Sequence, residues 1–168
     1  MTDFSTEKTA KAVLPLQQEP GSGKPGKKMP VPASLLGQKW RWTSIGSVNY
    51  VDQKGTMMAP SGMSTSYTFT RDGRYKFFFY VRQRTYNMVT ESTTNHEGKV
   101  TFSGNNSFTV YPEQGTYKGN IGSRLIDRPM TADERKPVKW FYEWRTEEGK
   151  QRLYIGPDKS SARPFKHD

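Results

Sequence analysis

The chain has 168 residues, of which 13% are aromatic and none is cysteine, and this length fits one domain with a tail. The lack of cysteine excludes disulfides, thiolate nucleophiles and cysteine-based metal sites. The two histidines, His96 and His167, are far apart in the sequence, so we expect no histidine-based metal site. No run of about 18 apolar residues occurs and no apolar segment follows Met1. We therefore expect no membrane-spanning helix, and a cytoplasmic location unless a signal was removed.

The formal net charge is +10, and most of it lies in the aromatic part of the sequence. Residues 1–38 hold five lysines and three acidic residues, whereas residues 39–168 hold 21 lysines and arginines and 13 acidic residues. A basic domain attracts nucleic acid, an anionic membrane surface or an acidic ligand. No run of five or six basic residues occurs, so a soluble surface is the simpler explanation.

Residues 1–34 are predicted to form a tail. Residues 19–32 consist mainly of proline, glycine and lysine, with few apolar side chains to bury. We therefore expect residues 1–34 to be disordered and residues 35–168 to form one domain. The tail acts either as a flexible linker or as a segment that binds a protein partner and orders on contact.

The first half of the domain contains three β patterns. Residues 39–52 predict the first strand, and residues 64–70 predict a second that ends in a hairpin turn at residues 71–73. Residues 74–90 form the longest pattern, and both of its faces are partly aromatic. One face holds Tyr75, Phe77, Phe79 and Val81, and the other holds Lys76, Phe78, Tyr80, Arg82, Arg84 and Tyr86.

The middle of the domain predicts a hairpin. Glu97 and Gly98 are interpreted as a turn. Residues 99–103 and 107–111 then form two strands around Gly104-Asn105-Asn106, which is a strong turn signal. Residues 115–118 add one further short strand.

The last part of the domain predicts another hairpin, over residues 138–155 with its turn at residues 147–149. The preceding residues, 120–136, are interpreted as irregular, although Thr131 and Glu134 have the spacing of a capping box. Residues 157–168 are expected to trail off. About eight strands joined by short hairpins predict an all-β, antiparallel up-and-down barrel.

The segment Leu36-Gly37-Gln38-Lys39-Trp40 resembles the opening of a lipocalin, or calycin, domain. In that superfamily a glycine and a tryptophan lie close together after a short helical turn. Tyr67-Thr-Phe69, Asp72-Gly73-x-Tyr75 and residues 98–104 are similar to patterns in uncharacterised lipocalin-like domains of bacterial proteins. The resemblance covers residues 35–156. It implies that Trp40 plugs the closed end of the barrel and that Arg152, or else Arg163, packs across its ring.

The interior of an eight-stranded barrel is either filled by side chains or holds one small ligand. Two arginines beside aromatic residues suit an anionic ligand, because a guanidinium binds a carboxylate in a bidentate manner. Alternatively, the aromatic residues fill the core and the arginines face solvent. The predicted ligand-binding residues are Tyr67, Phe69, Tyr80, Arg82, Arg84, Trp140 and Tyr142.

Single-stranded nucleic acid is a less favoured ligand. Basic residues that alternate with aromatic residues on a sheet can follow a phosphate backbone and stack on bases. Residues 74–84 show such an alternation, but no known nucleic-acid motif accompanies it.

The sequence contains no nucleophile elbow, phosphate-binding glycine loop or zinc motif. His96 is interpreted as an exposed loop residue. We therefore predict a non-enzymatic monomer, without cofactor or metal, that binds a small apolar or amphipathic ligand, including an anionic one, inside a lipocalin-like barrel. The alternative is a protein-interaction or scaffold module with a filled barrel. The acidic residues interpreted as solvated charges include Asp72, Glu91, Glu143 and Glu147.

Overall fold

A computed structural model of the protein describes residues 28–45, 61–85 and 88–168. This part of the chain forms ten strands and one short 3-10 helix, Ala33–Leu35, and contains no helix long and apolar enough to cross a membrane. The strands are β1 Lys28–Met29, β2 Lys39–Ile45, β3 Gly62–Phe69, β4 Arg74–Thr85, β5 Met88–Ser103, β6 Ser107–Ile121, β7 Arg124–Pro129, β8 Val138–Glu147, β9 Lys150–Gly156 and β10 Arg163–His167.

Eight of these strands form a closed ring of hydrogen-bonded pairs. The strands β2, β3, β4, β5, β6, β8, β9 and β10 follow one another around the ring, each antiparallel to the next. The ring closes where His167 of β10 pairs with Trp40 of β2. Outside the ring, β1 pairs with β5 and β7 pairs with β6. The prediction of an all-β, antiparallel up-and-down barrel is confirmed.

The two ends of the ring differ. At the closed end, the 3-10 helix brings the buried Leu35 against the ring, and its carbonyl oxygen accepts a hydrogen bond from Trp40 Nε1 (3.2 Å). At the opposite end, the pairing of β6 with β8 stops at Val110 and Val138, but β6 continues to Ile121. The long hairpins β4–β5 and β6–β7 therefore project beyond β8, β9 and β10.

Glu97 and Gly98 do not form the predicted turn, because β5 runs through them to Ser103. The register of β5 against β6 shifts there, and Glu113 is the extra residue between the pairs Gly98–Pro112 and Glu97–Gln114. A Cβ atom at Gly98 would overlap the Tyr111 carbonyl oxygen. This glycine marks a β-bulge, where the two backbones approach closely.

Three of the predicted turns are confirmed. Gly73 has a φ of 76°, and the Thr70 N–H donates to the Arg74 carbonyl oxygen (2.9 Å). Asn106 has a φ of 57° in the β5–β6 turn, and Gly149 has a φ of 73° in the β8–β9 turn. These values are positive, which explains the glycine and asparagine signals in the sequence.

Besides β1, two strands lie where none was expected. β7 occupies the stretch interpreted as irregular, and it follows a tight turn in which Gly122 has a φ of 60°. β10 occupies the stretch expected to trail off, and it places the buried Phe165 opposite Leu153. The predicted 74–90 strand is divided in two, since β4 ends at Thr85 and β5 begins at Met88.

The N-terminal side of the domain starts earlier than expected. Residues 28–34 were predicted to belong to the tail, yet Met29 pairs with Phe102 and Val31 is part of the buried core. This proline-rich segment therefore contacts the barrel. The rest of the predicted tail, 1–27, and residues 46–52 of the predicted first strand lie outside the described residues.

Candidate functional site

The predicted ligand-binding residues are divided between the two faces of the barrel wall. β4 turns Tyr75 and Phe77 inward, where they join the buried core, so the alternate residues Tyr80, Arg82 and Arg84 face outward. The other four belong to the inner face, in the core or packed against it: Tyr67, Phe69, Trp140 and Tyr142. The seven residues therefore do not line one common cavity.

The Tyr67 side chain lies in the interior of the barrel, among aromatic side chains of other strands. The centroid of its aromatic ring lies 5.0 Å from the ring centroid of Phe77 on β4 and 5.8 Å from that of Phe108 on β6. The corresponding distances are 6.2 Å to Trp140 on β8 and 5.9 Å to Phe165 on β10. One side chain from β3 thus contacts four other strands. Burial raises the pKa of the Tyr67 phenol well above its usual value, so this group stays neutral.

A second aromatic layer lies nearer the closed end. Phe102 stacks on Phe108 with ring centroids 5.2 Å apart, and Tyr142 meets the Phe102 ring edge-on at 5.3 Å. Phe69 completes the layer, with its ring 5.5 Å from both phenylalanines. Such offset and edge-to-face contacts are the preferred packing of aromatic rings. Side chains therefore occupy the interior at the level of both layers.

Trp40 is buried, and its ring neighbours differ from the arginine that the lipocalin resemblance implies. Trp144 and His167 meet its ring edge-on, at 5.5 and 5.6 Å between centroids. Arg152 alternates with the buried Leu153, so it lies on the outer face, where it pairs with Glu147 and Glu148. Histidine and tryptophan rings therefore take the place assigned to Arg152.

Arg163, the other candidate, lies over a different tryptophan. Its guanidinium carbon is 6.0 Å from the centroid of the Trp42 ring. Trp42 is two residues farther from the closed end than Trp40, and the two share the inner face of β2. Arg163 is therefore a cation–π partner of Trp42 and not of Trp40.

Tyr80, Arg82 and Glu91 form a small polar cluster on the outer face. The Tyr80 hydroxyl donates to Glu91 Oε1 (3.2 Å), and Arg82 Nη1 lies 3.2 Å from the same oxygen. The pKa of Tyr80 is raised by its partial burial and by the Glu91 charge. Arg82 Nε is buried and has no hydrogen-bond partner among the described residues. The cluster borders a cavity of about 250 Å³ that also contacts Ser64 and Ile45.

The basic and aromatic stripe on the outer face of β4 is largely neutralised by neighbouring strands. Arg82 pairs with Glu91, and Lys76 lies 3.9 Å from Glu97. Arg74, at the start of the strand, pairs with Glu113 at 2.9 Å. A phosphate backbone would have to displace these carboxylates, so this stripe is a weak candidate for binding nucleic acid.

His96 lies within β5, not in an exposed loop, and it is partly buried. Its ring stacks on Phe77 with centroids 4.4 Å apart, and Nδ1 lies 2.7 Å from the Tyr75 hydroxyl oxygen. Burial lowers the pKa of His96 to about 4 and raises the pKa of Tyr75. Both groups are therefore uncharged at neutral pH. A cleft of about 490 Å³ reaches this histidine and is also lined by Gln114 and Thr116.

No protein-family model, curated protein or solved structure matches this chain. The ring of eight antiparallel strands is the feature that the chain shares with the lipocalin architecture expected from the sequence. Among the described residues, no group of three or more His, Cys, Asp or Glu side chains is placed to hold a metal ion. The function must therefore be inferred from the surfaces themselves.

The last pairs of the two projecting hairpins are Thr85–Met88 and Ile121–Arg124. Asn120 joins the two hairpins, because its Oδ1 accepts the Glu91 backbone N–H (2.6 Å) and its Nδ2 donates to the Val89 carbonyl oxygen (3.0 Å). The two hairpins are thus held side by side near these last pairs. The sequence did not distinguish them, since Thr85 and Met88 fell within one continuous β pattern.

Proposed function

We propose that this protein is a non-enzymatic binding module that holds its partner on the outside of a filled, lipocalin-like barrel. The observation that carries the proposal is the position of Tyr67, whose ring contacts aromatic rings of four other strands. A small ligand would have to displace this packed layer, at a cost comparable to that of making a cavity in a core.

The charged residues support the same proposal. Arg82 and Arg84, the cations that suggested an anionic ligand, face away from the barrel interior. Arg82 is also paired with Glu91, which reduces its attraction for a further carboxylate. Binding at the outer surface and at the projecting hairpins requires no rearrangement of the core.

The lipocalin-like classification is part of this proposal. The up-and-down order of the eight ring strands and the 3-10 helix before Trp40 support it. In this view the chain keeps the architecture of a ligand-binding barrel but uses the interior for packing.

Probe titration tests whether the barrel is filled. The purified protein is titrated with anilinonaphthalene sulfonate and with dodecanoate, and tryptophan fluorescence is followed. We expect no saturable one-to-one binding by the wild type, and a gain of binding by Tyr67→Ala, which opens the interior. A saturable complex with the wild type, weakened when Val110→Phe adds volume to the buried wall, would overturn the proposal.

A further inference from the structure

Three neighbouring strands of the ring, β9, β10 and β2, carry basic residues and no acidic ones. Together they contain six lysines and arginines and neither aspartate nor glutamate. Leu153, Phe165 and Trp40 of these strands belong to the buried core, so the residues that alternate with them face outward. We call the outward cations the basic face, which consists of Lys39, Arg41, Lys150, Arg152 and Lys166.

Cations of the basic face lie beside one another across the sheet. Lys166 of β10 is directly opposite Arg41 of β2, and Arg152 of β9 is directly opposite Arg145 of β8. Because β9 and β10 are neighbours in the ring, these four cations form one row across four strands. Like charges on directly opposite residues repel each other and reduce the stability of a sheet. A ligand that brings negative charge to this row would relieve the repulsion.

The basic face is only partly neutralised by the protein itself. Arg41 pairs with Asp168 at 2.6 Å, and Arg152 lies 3.5 Å from Glu147 and 3.7 Å from Glu148. The lysines are exposed and form no ion pair with any residue that the structure describes. Positive charge is therefore available to a ligand at Lys39, Lys150 and Lys166.

The parts of the sequence outside the described residues carry no net negative charge. Residues 1–27 hold four lysines and three acidic residues, residues 46–60 hold one lysine and one aspartate, and residues 86 and 87 are uncharged. These segments therefore do not offset the positive charge of the basic face, which is complementary to a polyanion.

Two exposed aromatic rings lie at the edge of the basic face. Trp144 is 38% exposed and His167 is also exposed, and both rings meet the buried Trp40 ring edge-on. Trp144 directly precedes Arg145 in β8, and His167 directly follows Lys166 in β10. Proteins that bind single-stranded nucleic acid combine cations that follow the phosphate backbone with aromatic rings that stack on bases. The edge of the barrel beside Trp40 offers this combination.

We propose that the basic face binds single-stranded nucleic acid, with phosphates on its lysines and an unpaired base against Trp144. This rests on the proposed function, since it places the partner outside the filled barrel. The outer wall of the closed ring is convex, so a linear polyanion can follow the row of cations, whereas a flat membrane would meet it along a narrow contact. The basic face also differs from the stripe on β4, where Lys76 and Arg82 are paired with glutamates.

Fluorescence anisotropy with a labelled thymidine strand of about 20 nucleotides tests the proposal on the full chain. We expect saturable binding that weakens about hundredfold as the salt rises from about 50 to about 200 mM, as about five phosphate contacts imply. The variant Lys39→Gln, Lys150→Gln, Lys166→Gln should lose at least about tenfold in affinity. It should also reduce the slope of log affinity against log salt by about 2.

The matched control is Lys76→Gln, Lys99→Gln, Lys118→Gln. It removes the same charge from β4, β5 and β6, where the three lysines lie 3.9, 3.7 and 3.2 Å from carboxylate oxygens. We expect this variant to bind the strand within about threefold of the wild type, because these charges are distant from the basic face and screened by salt. An equal loss in the two triple variants would mean that net charge alone drives binding, and would overturn the proposal.

The variant Trp144→Ala should weaken binding about fivefold or more without changing the salt slope, and Trp144→Phe should retain most of the affinity. Urea unfolding of both variants separates a loss of stacking from a loss of fold. A wild type that does not bind the strand, or that binds only vesicles with about one third phosphatidylserine, would overturn the nucleic-acid proposal. Either result would leave binding outside the barrel standing, because only saturable filling of the interior by a probe overturns that.

Discussion

The Tyr75 hydroxyl oxygen lies 2.7 Å from His96 Nδ1, inside a barrel wall where Tyr75 is buried and His96 is partly buried. Burial lowers the pKa of His96 to about 4, from about 6.5 in the unfolded chain. The unfolded state therefore binds a proton that the folded state excludes between these pH values. Stability is fully present above about pH 6.5 and falls as the pH drops toward 4.

We predict that the wild type loses about 2 kcal/mol of unfolding free energy between pH 7 and pH 4.5 through His96. The measurement is urea unfolding at both pH values for the wild type, His96→Asn and the control His167→Asn. His96→Asn should have a shallower pH dependence than the wild type, while His167→Asn should keep the wild-type slope. Equal slopes for the wild type and His96→Asn would contradict the prediction.

Tyr67→Ala should be among the most destabilising substitutions in the chain. It removes a ring that contacts four other strands, and truncations of large buried aromatic residues cost about 3–5 kcal/mol. The comparison is Tyr111→Ala, which truncates an exposed tyrosine on β6 and should cost less than about 1 kcal/mol. The loss of unfolding free energy in each variant is measured by thermal or urea unfolding. Similar losses in the two variants would mean that Tyr67 does not form the centre of the core.

The fold class was predictable because hairpin turns and alternating aromatic residues are local signals. Gly73, Asn106 and Gly149 occupy positive-φ positions that few other residues tolerate. The alternation of residues along β4 also predicted which side chains share a face of that strand. It did not predict which of the two faces points inward, because aromatic residues occur on both. Which face of β4 points into the barrel depends on its packing against the other strands. For this reason Tyr80, Arg82 and Arg84 were grouped with residues of the core.

The elements that were missed have weak local signals. The predicted 74–90 strand contains no glycine or proline near residues 85–88, so nothing marked the reversal between Thr85 and Met88. Gly98 was interpreted as a turn because a bulge and a turn both favour glycine. Residues 157–168 were expected to trail off, yet Phe165 has a buried place opposite Leu153. In each of these cases the structure depends on pairing with strands that are distant in the sequence.

The bulge predicts that Gly98→Ala is poorly tolerated. Its Cβ would overlap the Tyr111 carbonyl oxygen and lie 2.9 Å from the Glu113 nitrogen, both of which belong to the backbone and have little freedom to move. We expect a loss of about 2 kcal/mol or more in unfolding free energy. Gly104→Ala is the matched control, because its Cβ would meet only the Met29 sulfur at 3.6 Å. That control should remain within about 1 kcal/mol of the wild type.

Arg128 and Glu134 form a bidentate ion pair, with Nη1–Oε2 and Nη2–Oε1 distances of 2.8 and 2.9 Å. Glu134 also completes the capping box predicted from the sequence, since it accepts the Thr131 N–H (2.8 Å). The hydrogen bonds from Arg128 lower the pKa of Glu134 to about 2. Its contribution to stability is therefore present above about pH 4.5 and is lost as the pH falls toward 2.

We predict that Glu134→Gln costs about 1–2 kcal/mol at neutral pH, since Arg128 is partly exposed and solvent screens the pair. Asp133→Asn is the matched control, because Asp133 pairs with Lys136 at an exposed position and should contribute little. The measurement is the unfolding free energy of both variants and of the wild type at pH 7 and pH 3. The difference between Glu134→Gln and the wild type should shrink at the lower pH.

The pairing of His167 with Trp40 has a consequence for how the ring forms. β10 joins β9 to the much earlier β2, so the contact that completes the ring is also among the most distant along the chain. Until β10 is in place, β2 and β9 each present an unpaired edge, which is a template for pairing with other molecules. Folds dominated by such distant contacts assemble slowly. We therefore expect the period before closure to be when this chain is most exposed to aggregation, and substitutions in β10 to reduce the yield of folded protein.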